Sequence, residues 1–286
     1  MRRTWRRVAV PGVTLATETT EWGELPRPLI VASHATGFCK EVFHPVVEEL
    51  SPLVPAAEVI AFDHRAHGDS APSPPPYDWW DLGRDVLALL DGRRIDVGLG
   101  HSAGAAALVM AELLAPGSFT TLVLVEPIVF PGPYGYFDHR LAEAALKRRR
   151  SFESRAAALD NFAAKPPFDR WDPRALAGYV DGGLTPVGDE WVLKCSPVLE
   201  AEFYRAATAH GAWERLAEVT SAVVLVAGEL SDSHPGPFLE RTAERLGAGH
   251  VDVVPGATHF VPMEDPGRIA GHVASALGAE QLPAHR

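Results

Sequence analysis

The chain has 286 residues, of which 47% are apolar and 22% charged, and these values predict one globular domain with a sizeable core and room for an insertion. Its formal net charge of −11 disfavours nonspecific binding to nucleic acid or to an anionic membrane surface. Two cysteines, Cys39 and Cys195, are too few for a disulfide framework, so free thiols in a reducing compartment are predicted.

The N-terminus carries four arginines within its first seven residues, and no apolar segment follows them. This pattern excludes a secretory signal peptide and favours a frayed terminus. No later stretch approaches about 18 uninterrupted apolar residues, so no membrane span is predicted. Together with the free thiols, these features predict a cytoplasmic protein.

Short apolar runs rich in β-branched residues alternate with helical patterns along much of the chain. The runs lack strict polar alternation, which is typical of strands covered on both faces. Strands are predicted at Leu29–Ser33, Glu58–Phe62, Ile95–Leu99, Leu122–Val125, Ala222–Ala227 and His250–Val254. Helices are predicted at Glu41–Leu50, Asp81–Leu90, Ala103–Leu114, Pro237–Leu246 and Pro266–Leu277. Their alternation predicts an α/β fold with a mostly parallel, doubly wound sheet.

The alternation of strands and helices is interrupted between residues 131 and 218. This interval holds helical patterns without good strands, separated by Pro- and Gly-rich breaks, at Leu141–Lys165, Pro173–Val180 and Pro197–Leu216. We therefore predict an all-helical cap, or lid, over 131–218, inserted into a core domain formed by 1–130 and 219–286. Within the cap, the basic run Lys147–Arg150 is interpreted as a solvated helix face.

A candidate nucleophile follows the strand Ile95–Leu99 directly. The residues Gly100-His101-Ser102-Ala103-Gly104 have the pattern G-x-S-x-G, and a helical stretch of small residues comes next. In this strand–turn–helix context the pattern predicts Ser102 as a nucleophile on a sharp turn. The following helix points its N-terminus toward the developing negative charge, and the backbone N–H of Ala103 is predicted to donate into an oxyanion hole.

Other interpretations of these motifs are disfavoured. A serine in this position also suits a plain helix-capping turn. The overlapping pattern G-x-G-x-x-A from Gly98 resembles a dinucleotide fingerprint, with Glu126 as the ribose-binding acid, but at least two strands precede it. His64 and His67, with nearby aspartates, match no recognised metal-ligand spacing, so no metal and no cofactor are predicted.

Two further loops follow strands and offer catalytic partners for the serine. The loop 34–38 is expected to supply the second oxyanion donor through the backbone N–H of Thr36, with Gly37 or Phe38 as alternatives. His259 lies in the loop after the last predicted strand, at the edge where open α/β sheets build their sites. Its place after a serine and an acid makes it the predicted general base.

Two residues are candidates for the acid that orients the histidine. Asp232 follows the strand Ala222–Ala227 through a flexible turn at Gly228, and it is the first choice. Glu126 follows the strand Leu122–Val125 and is the alternative acid. Either carboxylate is able to stabilise an imidazolium.

Five motifs in this order resemble those of the α/β-hydrolase superfamily, in its capped, esterase- and lipase-like serine-hydrolase branch. They are His34-Ala35-Thr36-Gly37-Phe38, Phe62-Asp63-His64-Arg65-Ala66-His67-Gly68-Asp69-Ser70, Gly100-His101-Ser102-Ala103-Gly104, Gly228-Glu229-Leu230-Ser231-Asp232 and Gly256-Ala257-Thr258-His259-Phe260. The resemblance implies a Ser102–His259–Asp232 triad and an oxyanion hole near Thr36 and Ala103. Some superfamily members place the acid after the sixth strand, which keeps Glu126 open.

The expected activity is hydrolysis of a small, largely apolar carboxylic ester, thioester or lactone through an acyl-enzyme. The aromatic-rich cap is expected to supply the substrate pocket. A C–C bond hydrolase of the same fold and a non-catalytic ligand-binding protein are the alternatives.

Overall fold

A computed structural model describes residues 1–278 of the chain. Its strands are β1 (Arg2–Val10), β2 (Val13–Trp22), β3 (Leu29–Ser33), β4 (Ala57–Phe62), β5 (Ile95–His101), β6 (Phe119–Val125), β7 (Ser151–Phe152), β8 (Leu184–Val187), β9 (Glu190–Leu193), β10 (Ala222–Gly228) and β11 (His250–Val254). Its α-helices are α1 (His44–Leu50), α2 (Trp80–Leu90), α3 (Ala103–Leu114), α4 (Arg140–Leu146), α5 (Arg155–Ala163), α6 (Pro173–Gly183), α7 (Pro197–Ala206), α8 (Gly236–Leu246), α9 (Val261–Glu264) and α10 (Pro266–Ala276).

Eight strands form one sheet in the order β1-β2-β4-β3-β5-β6-β10-β11. The pairs β1–β2 and β2–β4 are antiparallel, and every pair from β4 to β11 is parallel. The predicted α/β fold with a mostly parallel sheet is confirmed, and all six predicted strands are present. The carboxyl ends of β3, β5, β6, β10 and β11 therefore meet at one edge of the sheet, where the candidate residues lie.

The N-terminus differs from the prediction of a frayed segment. Arg2–Val10 is the edge strand of the sheet and pairs along its length with Val13–Trp22. Two of its arginines form ion pairs across the strand pair, Arg2 with Glu21 at 2.8 Å and Arg3 with Glu18 at 3.9 Å. Because most of this strand is exposed, it lacks the apolar pattern that signals a buried strand.

The helix α3 occupies the centre of the core behind the sheet. Every residue from Ala103 to Leu113 is buried, and the helix packs against α2 and β5. Small side chains in its first two turns let it approach the sheet closely. This packing holds the N-terminus of α3 rigidly at the carboxyl end of β5, where the candidate nucleophile lies.

The segment 131–218 contains α4 to α7, but it is not all-helical. A small antiparallel sheet of order β7-β9-β8 lies within it. These strands have only two to four residues, too few for a recognisable alternation, and β7 interrupts the helix predicted at Leu141–Lys165. The helix α6 packs on the turn after the loop 34–38. The division into core and cap stays a prediction, and residues 279–286 of the predicted core lie outside the described residues.

In residues 1–278, no helix has the length and the apolar character that a membrane crossing requires.

Candidate active site

Ser102 lies in a strained turn between β5 and α3. Its backbone has φ 56° and ψ −115°, a conformation that is rare for a residue with a side chain. A Cβ on Gly100 would lie 2.5 Å from the Cα of Ala105, and one on Gly104 would lie 2.0 Å from the carbonyl oxygen of Ser33. The glycines of G-x-S-x-G are therefore needed for packing, and the turn places Ser102 at the N-terminus of α3.

The three candidate backbone donors of the loop 34–38 differ in whether they already have an acceptor. The Phe38 N–H donates to the Ala35 carbonyl at 3.2 Å, and the Gly37 N–H donates to His67 Nε2 at 2.9 Å. Among residues 1–278 the N–H groups of Thr36 and Ala103 have no acceptor. Of the three loop donors considered, Thr36 is thus the one left available to a ligand.

His67 holds the loop through a defined tautomer. Its Nδ1 lies 3.0 Å from the carbonyl oxygen of Arg65, which requires a proton on Nδ1 and leaves Nε2 to accept from Gly37. Burial lowers the pKa of His67 from 6.5 to about 4, so the imidazole is neutral near pH 7. The chain pattern did not identify this role.

The carboxylate at His259 belongs to Glu126. Its Oε2 lies 2.5 Å from His259 Nδ1, and the Glu126 side chain is completely buried at the end of β6, with φ 50°. The Gly228 N–H donates to Oε1 at 2.9 Å, and the hydroxyls of Ser231 and Ser233 each donate to Oε2 at 2.5 Å. The carboxylate is thus fully supplied with donors despite its burial.

The same contacts keep Glu126 ionised. Burial alone raises the pKa of its carboxyl group, but hydrogen bonds from His234 and His259 and the electrostatic attraction of these two rings outweigh burial and hold the pKa well below its usual range. His234 Nδ1 lies 3.5 Å from Oε2, and sequence reasoning missed this second histidine.

The structure corrects the first choice of acid. Asp232 is exposed, and its Oδ2 pairs with Arg140 at 2.8 Å on the surface instead of contacting His259. Ser231 and Ser233, on either side of it, turn inward to Glu126, so Asp232 between them turns outward. The loop after β10 does reach the site, but it contributes hydroxyl groups instead of a carboxylate.

His101 connects the turn at Ser102 to the loop that carries His259. Its Nε2 lies 2.9 Å from the carbonyl oxygen of His259, and the two rings lie 5.0 Å apart. Within the described part of the chain, no hydrogen bond joins the Ser102 hydroxyl to His259. In enzymes without substrate such bonds are often long and tighten on binding.

The motif between Asp63 and Ser70 braces the loops beneath the site. The buried Lys40 ammonium lies 2.8 Å from Asp63 and 3.2 Å from Asp69, and Asp63 also accepts the backbone N–H groups of both residues. Asp63, Asp69 and His67, which were considered as metal ligands, therefore all make hydrogen bonds that hold these loops together.

An aromatic wall, formed by Phe38, Trp171, Tyr179 and Phe260, borders the site where the segment 131–218 meets the loops at 34–38 and at His259. The Trp171 ring lies 5.2 Å from the Phe38 ring and 5.8 Å from the Phe260 ring, and Tyr179 lies 5.5 Å from Phe38. Other cap aromatics lie elsewhere: Phe152, Phe162 and Phe203 are buried in packing, and Tyr134, Tyr136 and Phe137 are exposed.

Comparisons with known proteins identify the family of the chain. The model of the Alpha/beta hydrolase family matches residues 3–272. A 2-(acetamidomethylene)succinate hydrolase of Mesorhizobium japonicum is 28% identical over 271 residues, covering 91% of this chain and 90% of the relative. A type I acyl-CoA thioesterase of Penicillium roqueforti is 26% identical, over 54% of this chain and 40% of its own length.

A crystal structure of an E-2-(acetamidomethylene)succinate hydrolase has a TM-score of 0.80 at 25% identity, covering 97% of this chain and 100% of that one. The relatives named above are hydrolases of several kinds of substrate. The match of the family model over nearly the whole chain, with the fold and the strained serine turn described above, shows that the chain belongs to the alpha/beta hydrolase family.

Proposed function

We propose that this chain is a serine hydrolase that cleaves a small carboxylic ester, thioester or lactone, with Ser102 as nucleophile, His259 as base and Glu126 as acid. The observation that carries the proposal is the 2.5 Å contact between His259 Nδ1 and the buried Glu126 carboxylate, beside the strained turn at Ser102. A histidine held by a buried acid next to such a serine is the arrangement that activates a hydroxyl nucleophile.

The tautomer of His259 follows from its partners. Because Nδ1 faces an ionised carboxylate and the oxygen of Ser233, the ring proton lies on Nδ1. The other nitrogen, Nε2, is then free to take the proton of the Ser102 hydroxyl as the serine attacks an acyl carbonyl. Glu126 stabilises the imidazolium that forms.

The tetrahedral oxyanion would be stabilised by the N–H groups of Thr36 and Ala103 and by the N-terminus of α3. Collapse of the intermediate returns the proton from His259 to the leaving group and forms an acyl-enzyme on Ser102. A water molecule then attacks with His259 again as base, which releases the acid and restores the serine. These steps use only groups of the protein and a water molecule.

The substrate class rests on the wall of the site and on the relatives. The rings of Phe38, Trp171, Tyr179 and Phe260 favour a small molecule with a substantial apolar part. The thioesterase name of one relative agrees with acyl transfer, and the succinate derivative in the name of another adds polar groups. We therefore propose an acyl substrate of modest size.

A serine-directed fluorophosphonate probe tests the nucleophile. We expect labelling of the wild-type chain and its loss in Ser102→Ala, since only an activated serine reacts with the probe. Ser118→Ala, which alters a serine bound to a backbone carbonyl away from the site, is the matched control and should label normally. Equal labelling of wild type and Ser102→Ala would contradict the assignment.

A panel of 4-nitrophenyl esters of graded chain length then tests the reaction. Turnover that Ser102→Ala abolishes supports ester hydrolysis. Hydrolysis of a diketone with no turnover of any ester would replace the proposal by the C–C bond alternative. A chain that neither labels nor turns over any substrate would be a binding protein of this fold.

A further inference from the structure

Trp171, in the segment 131–218, packs against residues of two loops that border the candidate site. It follows a short 3-10 turn at Phe168–Arg170 and precedes α6. Its ring contacts those of Phe38, in the oxyanion loop, and Phe260, next to His259. An acyl group bound between the oxyanion donors and the base would lie beside Phe38 and Phe260, the two residues that Trp171 contacts.

The indole N–H of Trp171 is an unused donor at this position. The side chain is 5% exposed, and its Nε1 is fully buried without a hydrogen-bond partner in residues 1–278. A buried indole N–H usually finds an acceptor, and an unpaired one in a well-packed site calls for a specific reason. An acceptor on a bound substrate satisfies that requirement.

A largely buried ion pair is linked to Trp171 through Tyr179 and bears on the charge of this acceptor. Arg148 turns inward, unlike its neighbours in the basic run, and donates to the carboxylate of Glu200 and to the phenol of Tyr179, whose ring lies 5.8 Å from Trp171. A Cβ on Gly37 would lie 2.7 Å from Glu200 Oε1 and 3.4 Å from Arg148 Nη1, so the pair lies on the oxyanion loop.

The Arg148–Glu200 pair has no net charge. A substrate carboxylate placed there would meet the buried Glu200 carboxylate as well as the guanidinium, which removes most of the attraction. A neutral carbonyl oxygen meets no such repulsion and is a good acceptor for an indole N–H.

We propose that Trp171 Nε1–H is a substrate-binding donor, and that the substrate carries an uncharged carbonyl acceptor, as in a ketone, ester or amide, in addition to the scissile one. The inference rests on the proposed hydrolase function and deepens it. It changes the expected substrate from largely apolar to one that presents a second carbonyl to the cap.

Two matched pairs of esters test the inference. One pair places the acceptor on the acyl chain: 4-nitrophenyl hexanoate and 4-nitrophenyl 5-oxohexanoate. The other places it on the alcohol: propyl butanoate and 2-oxopropyl butanoate. For each pair the ratio of kcat/KM, oxo ester over plain ester, is measured in the wild type and in Trp171→Phe, which keeps the ring and removes the N–H.

We expect the ratio to fall about 10-fold in Trp171→Phe for at least one pair, because an effect of the substitution on the packing of the wall acts on both esters of a pair and cancels in the ratio. Phe168→Leu is the control: the Phe168 ring lies 4.7 Å from that of Trp171 and carries no N–H, so its replacement should leave the ratio unchanged. Equal ratios in wild type and Trp171→Phe for both pairs would overturn the inference. So would faster cleavage of 4-nitrophenyl monoglutarate, a carboxylate, than of the 5-oxohexanoate.

Two controls separate the possible failures. If Trp171→Phe does not fold, the wild type alone decides. For each ester, kcat/KM is divided by the rate constant of its uncatalysed hydrolysis by hydroxide, which corrects for intrinsic reactivity. A corrected preference for the oxo ester below about 2-fold in both pairs then overturns the inference. If the wild-type chain neither cleaves any ester nor reacts with the phosphonate probe, the proposed function is wrong and the inference is wrong with it. Normal labelling and turnover with equal ratios removes only the role of Trp171.

Discussion

Replacement of Glu126 by Gln keeps the shape of the side chain and removes its negative charge. In the wild-type site the carboxylate accepts from the Gly228 N–H, from two serine hydroxyls and from His259 Nδ1. A Gln amide has one acceptor oxygen, which the Gly228 N–H requires, so the NH2 group takes the place of Oε2 and faces His259 Nδ1. Nδ1 must then accept a hydrogen bond, which drives His259 toward the tautomer with its proton on Nε2. In that tautomer Nε2 cannot accept a proton from Ser102.

The loss of the correct tautomer and of the charge that stabilises the imidazolium is expected to lower kcat/KM about 10⁴-fold, or about 5 kcal/mol of transition-state stabilisation. Asp232→Asn makes the same chemical change at an exposed carboxylate paired with Arg140. Because such surface pairs contribute little, we expect this variant to keep its activity within about 2-fold.

Both variants are assayed with the 4-nitrophenyl ester that the wild-type chain cleaves fastest, and thermal melting verifies that each is folded. A loss of about 100-fold or more in Asp232→Asn, with less than about 10-fold in Glu126→Gln, would refute the reasoning from contacts. Equal, small losses in both variants would show that His259 needs no carboxylate partner.

The remaining predictions concern the loops around the site. His67→Phe should lower kcat about 10-fold or more with little change in KM, because Gly37 loses its acceptor, and His67→Gln should restore most of the rate. Burial lowers the pKa of His67 from 6.5 to about 4, so the contribution of His67 to the free energy of unfolding is full above pH 6.5 and decreases by about 3 kcal/mol as the pH falls to 4. His67→Gln removes this titration, and urea unfolding of the variant should therefore depend less on pH than unfolding of the wild type. Gly104→Ala should destabilise the fold by about 2 kcal/mol or more because its Cβ would meet the Ser33 carbonyl, whereas Gly271→Ala, with open space around its Cβ, should not.

Local patterns predicted the parts of the fold that depend on local physics. The strand Ile95–His101, the glycines around Ser102 and the helix Ala103–Leu114 form one continuous unit, so strand, turn and helix signals agree along a single stretch. The edge strand Arg2–Val10 was missed because it is mostly exposed and depends on its partner for its conformation.

The choice of acid shows what a linear pattern does not contain. Position in the chain places both Asp232 and Glu126 at strand ends, but it does not determine the direction of either side chain. That direction is set by alternation within the loop after β10, where Ser231 and Ser233 turn inward and Asp232 turns outward. The pattern Ser-Asp-Ser predicts that the serines turn inward only when the loop is already known to cover another carboxylate.

Glu126 is suited to its position because of what surrounds it. A carboxylate buried at the end of β6 would be costly if its oxygens lacked donors. The loop after β10 removes that cost by placing the Gly228 N–H and two hydroxyls on it, and these groups also prevent the carboxylate from rotating away from His259. The loop that was expected to carry the acid therefore orients the proposed acid, Glu126, which the neighbouring strand supplies.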